Sequence, residues 1–264
     1  MRKIIAVVAA SLFCLALVFA QDWAKQSFEK SPRHGEWVAV KYDGRSVSAF
    51  VVHPEVKQKA PAVVVIHEIF GLSDWVRSVA DHLAAEGYIA IAPDLLSGAG
   101  PKGGGTSDFA SVDDVRQAIS KLNPDTITAD LNAVADYVRK LPAANGKVAV
   151  AGFCWGGSQS FRFATNRPDL SAAFVFYGGP PQSFTTIQAP VYGFYAGNDA
   201  RIDATIPATT EAMKTAGKKY DPVTYEGAGH GFMRTGEDPA NTNPANKKAR
   251  DEAWQRWKAL LKAM

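Results

Sequence analysis

Short apolar runs alternate along this chain with stretches in which apolar residues are spaced three and four apart. The runs at 62–66 and 148–153 are almost continuously apolar, as is typical of strands covered on both faces. The stretch beginning at Pro124 has the helical spacing and follows Asn123, a favoured helix cap. Strands that alternate with helices form βαβ units. The chain is therefore predicted to be an α/β protein with a mostly parallel central sheet and helices on both faces.

The same periodicities predict the remaining elements. We expect a hairpin of strands 37–42 and 47–53 around Asp43-Gly44, because this residue pair favours a two-residue turn. Further strands are predicted at 88–92, 172–177, 191–195 and 223–225, and further helices at 73–87, 156–166, 207–216 and near the C-terminus. Residues 21–35 are expected to be irregular, and 97–108 a mobile loop. No repeat or composition shift marks a second domain, so residues 21–264 are predicted to form one.

The first 20 residues have the organisation of a secretory signal peptide. Arg2 and Lys3 precede an uncharged apolar stretch at 4–18, and Ala20 ends a small-residue pattern before a polar run. An uncleaved anchor helix is the alternative, but these 15 apolar residues are fewer than the about 20 that a spanning helix needs. We therefore predict cleavage after Ala20 and a secreted or periplasmic protein.

The charge balance excludes several kinds of partner. The leader holds two of the 29 basic residues and none of the 26 acidic ones, so its removal lowers the formal charge from +3 to +1. Such a weak field does not favour nucleic acid or stable membrane association after cleavage. We expect a monomer whose partner is a small-molecule substrate, chosen by a local site.

Removal of the leader also takes away Cys14, which leaves Cys154 as the one cysteine. Cys154 lies in the pattern G-x-C-x-G-G between a predicted strand and a predicted helix, the thiol version of the nucleophile elbow G-x-S-x-G. The end of the following helix is expected to lower the pKa of the thiol and favour thiolate. A buried, inert cysteine is the alternative, but it would not need this glycine-rich turn.

A thiol nucleophile needs a base, and the base needs an acid to orient it. His230 is the only histidine after Cys154 and lies on a glycine-rich loop after the last predicted strand. Asp199 directly follows a predicted strand and is the favoured acid, with Asp203 as the competitor. The chain order of nucleophile, acid and histidine is that of the elbow-type hydrolases.

The anion formed by attack on a carbonyl needs hydrogen-bond donors. The backbone N–H of Trp155 is one candidate, because it follows the nucleophile. The backbone N–H of Ile69, in the loop after the strand at 62–66, is the second. The side chains of Trp155 and Phe70 are expected to line the pocket, with core packing as an equal alternative for Phe70.

Five segments together resemble the dienelactone hydrolase family of α/β-hydrolases: HEIFGL at 67–72, APDLL at 92–96, GFCWGG at 152–157, GNDARI at 197–202 and GAGHGF at 227–232. The resemblance implies the α/β-hydrolase fold and a triad of Cys154, Asp199 and His230. It also implies that Glu68 holds the thiol's proton in the resting state and releases the thiolate when substrate binds. A structural role for Glu68, in satisfying loop N–H groups, is the alternative.

The resemblance is weaker in the residues that bind substrate. The family uses two arginines to bind a substrate carboxylate, and Arg234 matches the one that follows the active histidine. The other should follow the PDL motif, but the only basic residue in 97–102 is Lys102, which would act as a point charge and not as a two-pronged donor. This departure argues against dienelactone itself as the substrate.

The sequence therefore predicts a dienelactone hydrolase-like enzyme that cleaves a small carboxylic ester, lactone or thioester through a covalent acyl-enzyme. We expect no cofactor and no metal, because the chain has no phosphate loop, dinucleotide fingerprint or metal-ligand pattern. Two alternatives stay open. One is a redox or peroxide-handling thiol, although the mature chain would lack a resolving cysteine. The other is a catalytically silent member of the fold that only binds.

Overall fold

The computed structural model describes residues 21–264, so the predicted signal peptide at 1–20 lies outside the described residues. Within them the strands are β1 (Gly35–Tyr42), β2 (Arg45–Val52), β3 (Ala60–Ile66), β4 (Ile89–Pro93), β5 (Ala144–Phe153), β6 (Ala173–Phe176), β7 (Val191–Asn198) and β8 (Tyr220–Gly229). The helices are α1 (Asp22–Glu29), α2 (Asp74–Ala85), α3 (Val112–Ser120), α4 (Pro124–Arg139), α5 (Trp155–Asn166), α6 (Ala200–Asp203), α7 (Ile206–Thr215), α8 (Phe232–Thr235) and α9 (Pro244–Lys262).

The strands form one sheet in the order β1-β2-β4-β3-β5-β6-β7-β8. Strand β2 pairs antiparallel with β1 and β4, and every other pairing is parallel. The predicted hairpin is confirmed, because Asp43 and Gly44 both have positive φ and connect β1 to β2. The mostly parallel α/β sheet is likewise confirmed, and parallel pairing aligns the carboxyl ends of β3 to β8 along one edge.

Alternate residues of each central strand face opposite layers of the core. In β3, Val63 and Val65 pack on one side with Trp75 of α2 and Trp257 of α9. Val64 and Ile66 face the other side, where the helical stripe of α4 and the phenylalanines of α5 cover the sheet. Helices therefore cover both faces, as the continuous apolar runs predicted.

Four helices were not predicted: the four-residue α6 and α8, and the longer α1 and α3. Residues 22–29, expected to be irregular, form α1, which packs against α2 and buries Ala24 completely. The side chain of Gln21 accepts a hydrogen bond from the backbone N–H of Trp75 at 3.1 Å. Helix α3 follows Ser111, whose side chain caps it by accepting from the Asp114 N–H. Helices α1 and α3 are both short, and α3 buries Val115 and Ile119, which are spaced four apart along it.

Two further boundaries differ from the predictions. Strand β8 extends over ten residues, because its pairing with β7 continues past the apolar segment that the sequence shows. The segment 97–108, expected to be a mobile loop, is folded against the ends of the neighbouring strands and closes in a short 3-10 turn at Thr106–Asp108. No helix within residues 21–264 is both long enough and apolar enough to cross a membrane.

Candidate active site

Cys154 lies on a sharp turn between β5 and α5. Its backbone has φ 56° and ψ −117°, a conformation that residues with a side chain rarely adopt. Neighbouring glycines permit the turn, since a Cβ on Gly152 would overlap the backbone of Gly156. A Cβ on Gly156 would in turn overlap the carbonyl oxygens of Ile66 and His67 at the end of β3. The predicted elbow is therefore present, and close backbone packing is the reason for its glycines.

His230 and Asp199 are paired at the same sheet edge. Asp199 directly follows β7 and His230 directly follows β8, and these two strands are parallel neighbours. The His230 Nδ1–H donates to Asp199 Oδ2 at 2.5 Å. The Asp199 side chain is only 8% exposed, whereas that of His230 is 34% exposed. The carboxylate is therefore buried, and the imidazole can be reached from solvent.

Asp203, the competing acid, lies one helical turn further along in α6. Burial and the nearby charge of Asp199 raise its pKa. Within the described residues it makes no hydrogen bond to His230. The geometry therefore associates the imidazole with Asp199.

The surroundings of Cys154 favour its neutral thiol over the thiolate. Burial raises its pKa to about 11, with a further contribution from the negative charge of Glu68. The backbone N–H groups of Trp155 and Ile69, and the guanidinium of Arg201, act in the opposite direction. The N–H at the helix end lowers the thiol's pKa as predicted, but burial and Glu68 outweigh it, so the expected preference for thiolate is wrong for this state.

The two predicted oxyanion donors come from adjacent strands. Strands β3 and β5 pair in parallel, with Ile66 opposite Gly152, so the turns that follow them lie side by side. The N–H groups of Ile69 and Trp155 both lie close enough to the Cys154 sulfur to lower its pKa. They are thus near the position where an attacked carbonyl oxygen would become negative.

The side chains of the predicted pocket make specific contacts. The Trp155 ring stacks on His67, with 5.4 Å between ring centroids and 17° between planes. Phe70 is half-buried, and the guanidinium carbons of Arg116 and Arg234 lie 5.1 and 5.0 Å from its ring centroid. Phe70 therefore contacts two cations at the site.

Glu68 is buried beside the thiol. Its side chain is 2% exposed, and Oε2 accepts from Arg234 Nε at 2.7 Å. Burial raises the pKa of Glu68, while the charges of Arg234 and His230 pull it down. Within residues 21–264 its carboxylate bonds this arginine and no loop N–H, so the structural alternative for Glu68 finds no support in the geometry.

The structure adds residues that the sequence did not indicate. Tyr177, after β6, has φ 40° and is fully buried, and its ring lies edge-on to His230 at 5.1 Å. Burial and Glu68 raise its pKa well above the ordinary value. Arg201 in α6 is exposed and acts on the thiol through its charge. Only the paired glycines after Tyr177 could have drawn attention to it, and nothing in the sequence distinguishes Arg201.

Lys102 is exposed in the segment 97–108.

Within the part of the chain that the structure describes, no three carboxylate, imidazole or thiol side chains converge so as to hold a metal ion.

The chain is similar to known proteins in both sequence and fold. A sequence model of the dienelactone hydrolase family matches residues 47–264. A protein named "Putative carboxymethylenebutenolidase" from Salmonella typhi is 31% identical over 229 residues, which is 81% of each chain. A protein of the same name from Escherichia coli is 29% identical over 236 residues, 83% of each chain.

A solved structure is similar in fold over most of its length. The crystal structure described as a "Putative Dienelactone Hydrolase" from Klebsiella pneumoniae superposes with a TM-score of 0.76 at 25% identity, covering 88% of this chain and 99% of that one. The residues matched by the family model include the elbow at 152–157. This protein belongs to the dienelactone hydrolase family and is a hydrolase with the α/β-hydrolase fold.

Proposed function

We propose that this protein hydrolyses a small carboxylic ester, lactone or thioester through a covalent acyl-enzyme on Cys154, with His230 and Asp199 as base and orienting acid. The observation that carries the proposal is the joint placement of three groups at one sheet edge. A thiol on a strained elbow, an imidazole paired with a buried carboxylate at 2.5 Å, and two backbone N–H groups near the sulfur meet there. This set matches what acyl transfer requires.

In the first half of the reaction, the thiol gives its proton to His230 and the sulfur attacks the carbonyl carbon. The carbonyl oxygen becomes negative and is stabilised by the N–H groups of Ile69 and Trp155. The bond to the leaving group then breaks, and protonated His230 supplies the proton that the departing oxygen or sulfur needs. A thioester between Cys154 and the acyl group remains.

In the second half, His230 removes a proton from water, and the hydroxide attacks the thioester carbonyl. The same two N–H groups stabilise the second anion. The carbon–sulfur bond breaks, the acid leaves, and the proton returns to the sulfur. Asp199 keeps the Nδ1–H of His230 directed at itself throughout, which leaves Nε2 to exchange protons.

Glu68 influences the protonation state of the Cys154 thiol. Its negative charge helps to hold the pKa of Cys154 at about 11, so the thiol stays protonated at rest. A neutral thiol resists oxidation, which suits a protein proposed to be exported.

The surroundings of the site favour a related ester or lactone over dienelactone itself. Arg234 already donates its Nε–H to Glu68, and the segment after β4 offers only the exposed Lys102. The raised pKa of Cys154 also disfavours the redox alternative, since thiolate is the species that reacts with peroxide.

The test is a panel of lactones, aryl esters and thioesters given to the wild type and to Cys154→Ala. We expect turnover by the wild type and a fall of about 1,000-fold or more in kcat for the variant, because the covalent route is lost. Thr209→Val is a matched control, since it alters one buried hydrogen bond in α7, remote from the elbow. Undiminished ester turnover by folded Cys154→Ala would overturn the proposal.

A further inference from the structure

A buried carboxylate anchors the glycine-rich segment that follows β4. Asp94 directly follows this strand and is 5% exposed. Its Oδ2 accepts from the Thr106 N–H at 2.7 Å, and its Oδ1 accepts from the Thr106 hydroxyl at 2.7 Å and from the Leu96 N–H at 3.1 Å. A carboxylate at this depth needs such donors. Thr106 is therefore fixed to the end of β4 through both its backbone and its side chain.

The Thr106 hydroxyl also reaches the turn after β3. Its Oγ1 accepts from the Leu72 N–H at 3.0 Å while donating to Asp94. Gly71 has φ 72°, and a Cβ there would overlap the Thr106 side chain. One hydroxyl thus joins three parts of the chain, and both of its roles, donor and acceptor, are in use.

The other end of that turn is tied to the same strand. The Leu95 N–H donates to His67 Nε2 at 3.3 Å, and His67 Nδ1–H donates to the Glu68 carbonyl at 2.7 Å. Burial lowers the pKa of His67, which keeps the imidazole neutral and able to accept at Nε2. The segment 67–72, which carries Glu68 and Ile69, is therefore held at both ends. Leu95 holds His67, and Asp94 holds Leu72 through Thr106.

We propose that Thr106 is a positioning residue that keeps the Ile69 N–H at the oxyanion site through the bonds Asp94–Thr106–Leu72. We call these three residues the latch. The inference rests on the proposed function, in which the Ile69 N–H stabilises the oxyanion. It deepens that function by assigning a task to a residue that touches neither the thiol nor the substrate. Stabilisation of an oxyanion depends on donors fixed within a few tenths of an ångström. The turn at 67–72 has no regular secondary structure of its own to fix them.

The test compares Thr106→Val with Thr106→Ser. Valine keeps the shape of the side chain and removes the hydroxyl, whereas serine keeps the hydroxyl. We expect Thr106→Val to lower kcat by about 10- to 100-fold with little change in KM, because loss of one oxyanion donor costs about 100- to 1,000-fold and the turn would be displaced only in part. Thr106→Ser and the remote control Thr209→Val should keep kcat close to that of the wild type.

A second readout needs no substrate. The Ile69 N–H lowers the pKa of Cys154, so its displacement should move the pH dependence of Cys154 alkylation by iodoacetamide to higher pH. Mass spectrometry of the peptide that contains Cys154 follows this reaction at a single site. A role confined to stability would lower the melting temperature without moving either the alkylation profile or the ratio of kcat to KM.

Folded Thr106→Val with a wild-type kcat and a wild-type alkylation profile would overturn the latch. If Thr106→Val fails to fold, Asp94→Asn decides, because it weakens both bonds between Thr106 and Asp94 while keeping one acceptor. Wild-type behaviour of that variant equally overturns the inference. The outcomes are separable from the proposed function. Activity that survives in Cys154→Ala removes the mechanism, whereas unchanged Thr106→Val in an enzyme that requires Cys154 removes only the latch.

Discussion

The elbow at 152–157 and the segment at 97–108 are both glycine-rich and follow β5 and β4, the two strands on either side of β3, yet they are held in different ways. In the elbow, backbone packs on backbone: Gly156 lies against the carbonyls at the end of β3. In the segment 97–108, side chains hold the fold, and a Cβ on Gly105 would overlap the carboxylate of Asp94. In both regions, glycine therefore allows another part of the chain to pack closely against its backbone. Glycine content alone did not show that the segment 97–108 is anchored.

The largest expected effect is in the elbow. Gly156→Ala should destabilise the protein by about 3 kcal/mol, because the new Cβ meets backbone atoms that cannot move aside. Displacement of the elbow should also remove nearly all ester turnover. Thermal unfolding and kcat together measure this. A variant with wild-type stability would show that backbone contact does not hold the elbow.

An intermediate effect is expected in the anchored segment. Gly105→Ala places its Cβ against the Asp94 side chain, which can rotate, so we expect a loss of about 1–2 kcal/mol. Because Asp94 positions Thr106, we expect kcat to fall while KM changes little. Stability equal to that of Gly156→Ala, measured by the same unfolding assay, would remove the distinction between the two regions.

The charge beside the elbow gives a pH-dependent prediction. Burial and then Glu68 raise the pKa of Cys154 to about 11, so Glu68→Gln should lower it and leave the burial contribution in place. A lower pKa means more thiolate at mildly alkaline pH, so alkylation by iodoacetamide should become several-fold faster. Glu211→Gln, on the exposed face of α7, is the control. An alkylation profile identical to that of the wild type would contradict the role of Glu68.

The smallest effect is expected at Gly103. Its φ is 78° and no atom lies within 4 Å of a Cβ built there, so Gly103→Ala carries only the cost of a left-handed backbone, about 1 kcal/mol. Turnover should be unchanged. A large loss of activity would mean that this exposed part of the segment contacts substrate.

The sequence predicted the features that local pattern determines. The run at 62–66 is buried on both faces, the Asn123 cap starts α4, and the elbow places Cys154 between a strand and a helix. The pairing of His230 with Asp199 followed from their positions after neighbouring strands. In each case the residues immediately around one position carried the information about that position.

The features that were missed depend on contacts between distant segments. Helix α1 is short and is ordered by packing on α2, which its own residues do not indicate. The bond from Thr106 to Leu72 joins positions 34 residues apart, and no periodicity connects them. The raised pKa of Cys154 likewise depends on the burial of its own thiol and then on the nearby charge of Glu68, which only the folded chain shows.

The central claim is that Cys154 carries the acyl group during turnover. Rapid quenching of the wild type during hydrolysis of an aryl ester, followed by mass spectrometry, measures this directly. The account predicts a mass increase of one acyl group on the peptide that contains Cys154, and none on the same peptide from Cys154→Ala. Ester turnover with the acyl group on another residue, or with no acyl-enzyme and full activity in Cys154→Ala, would contradict it.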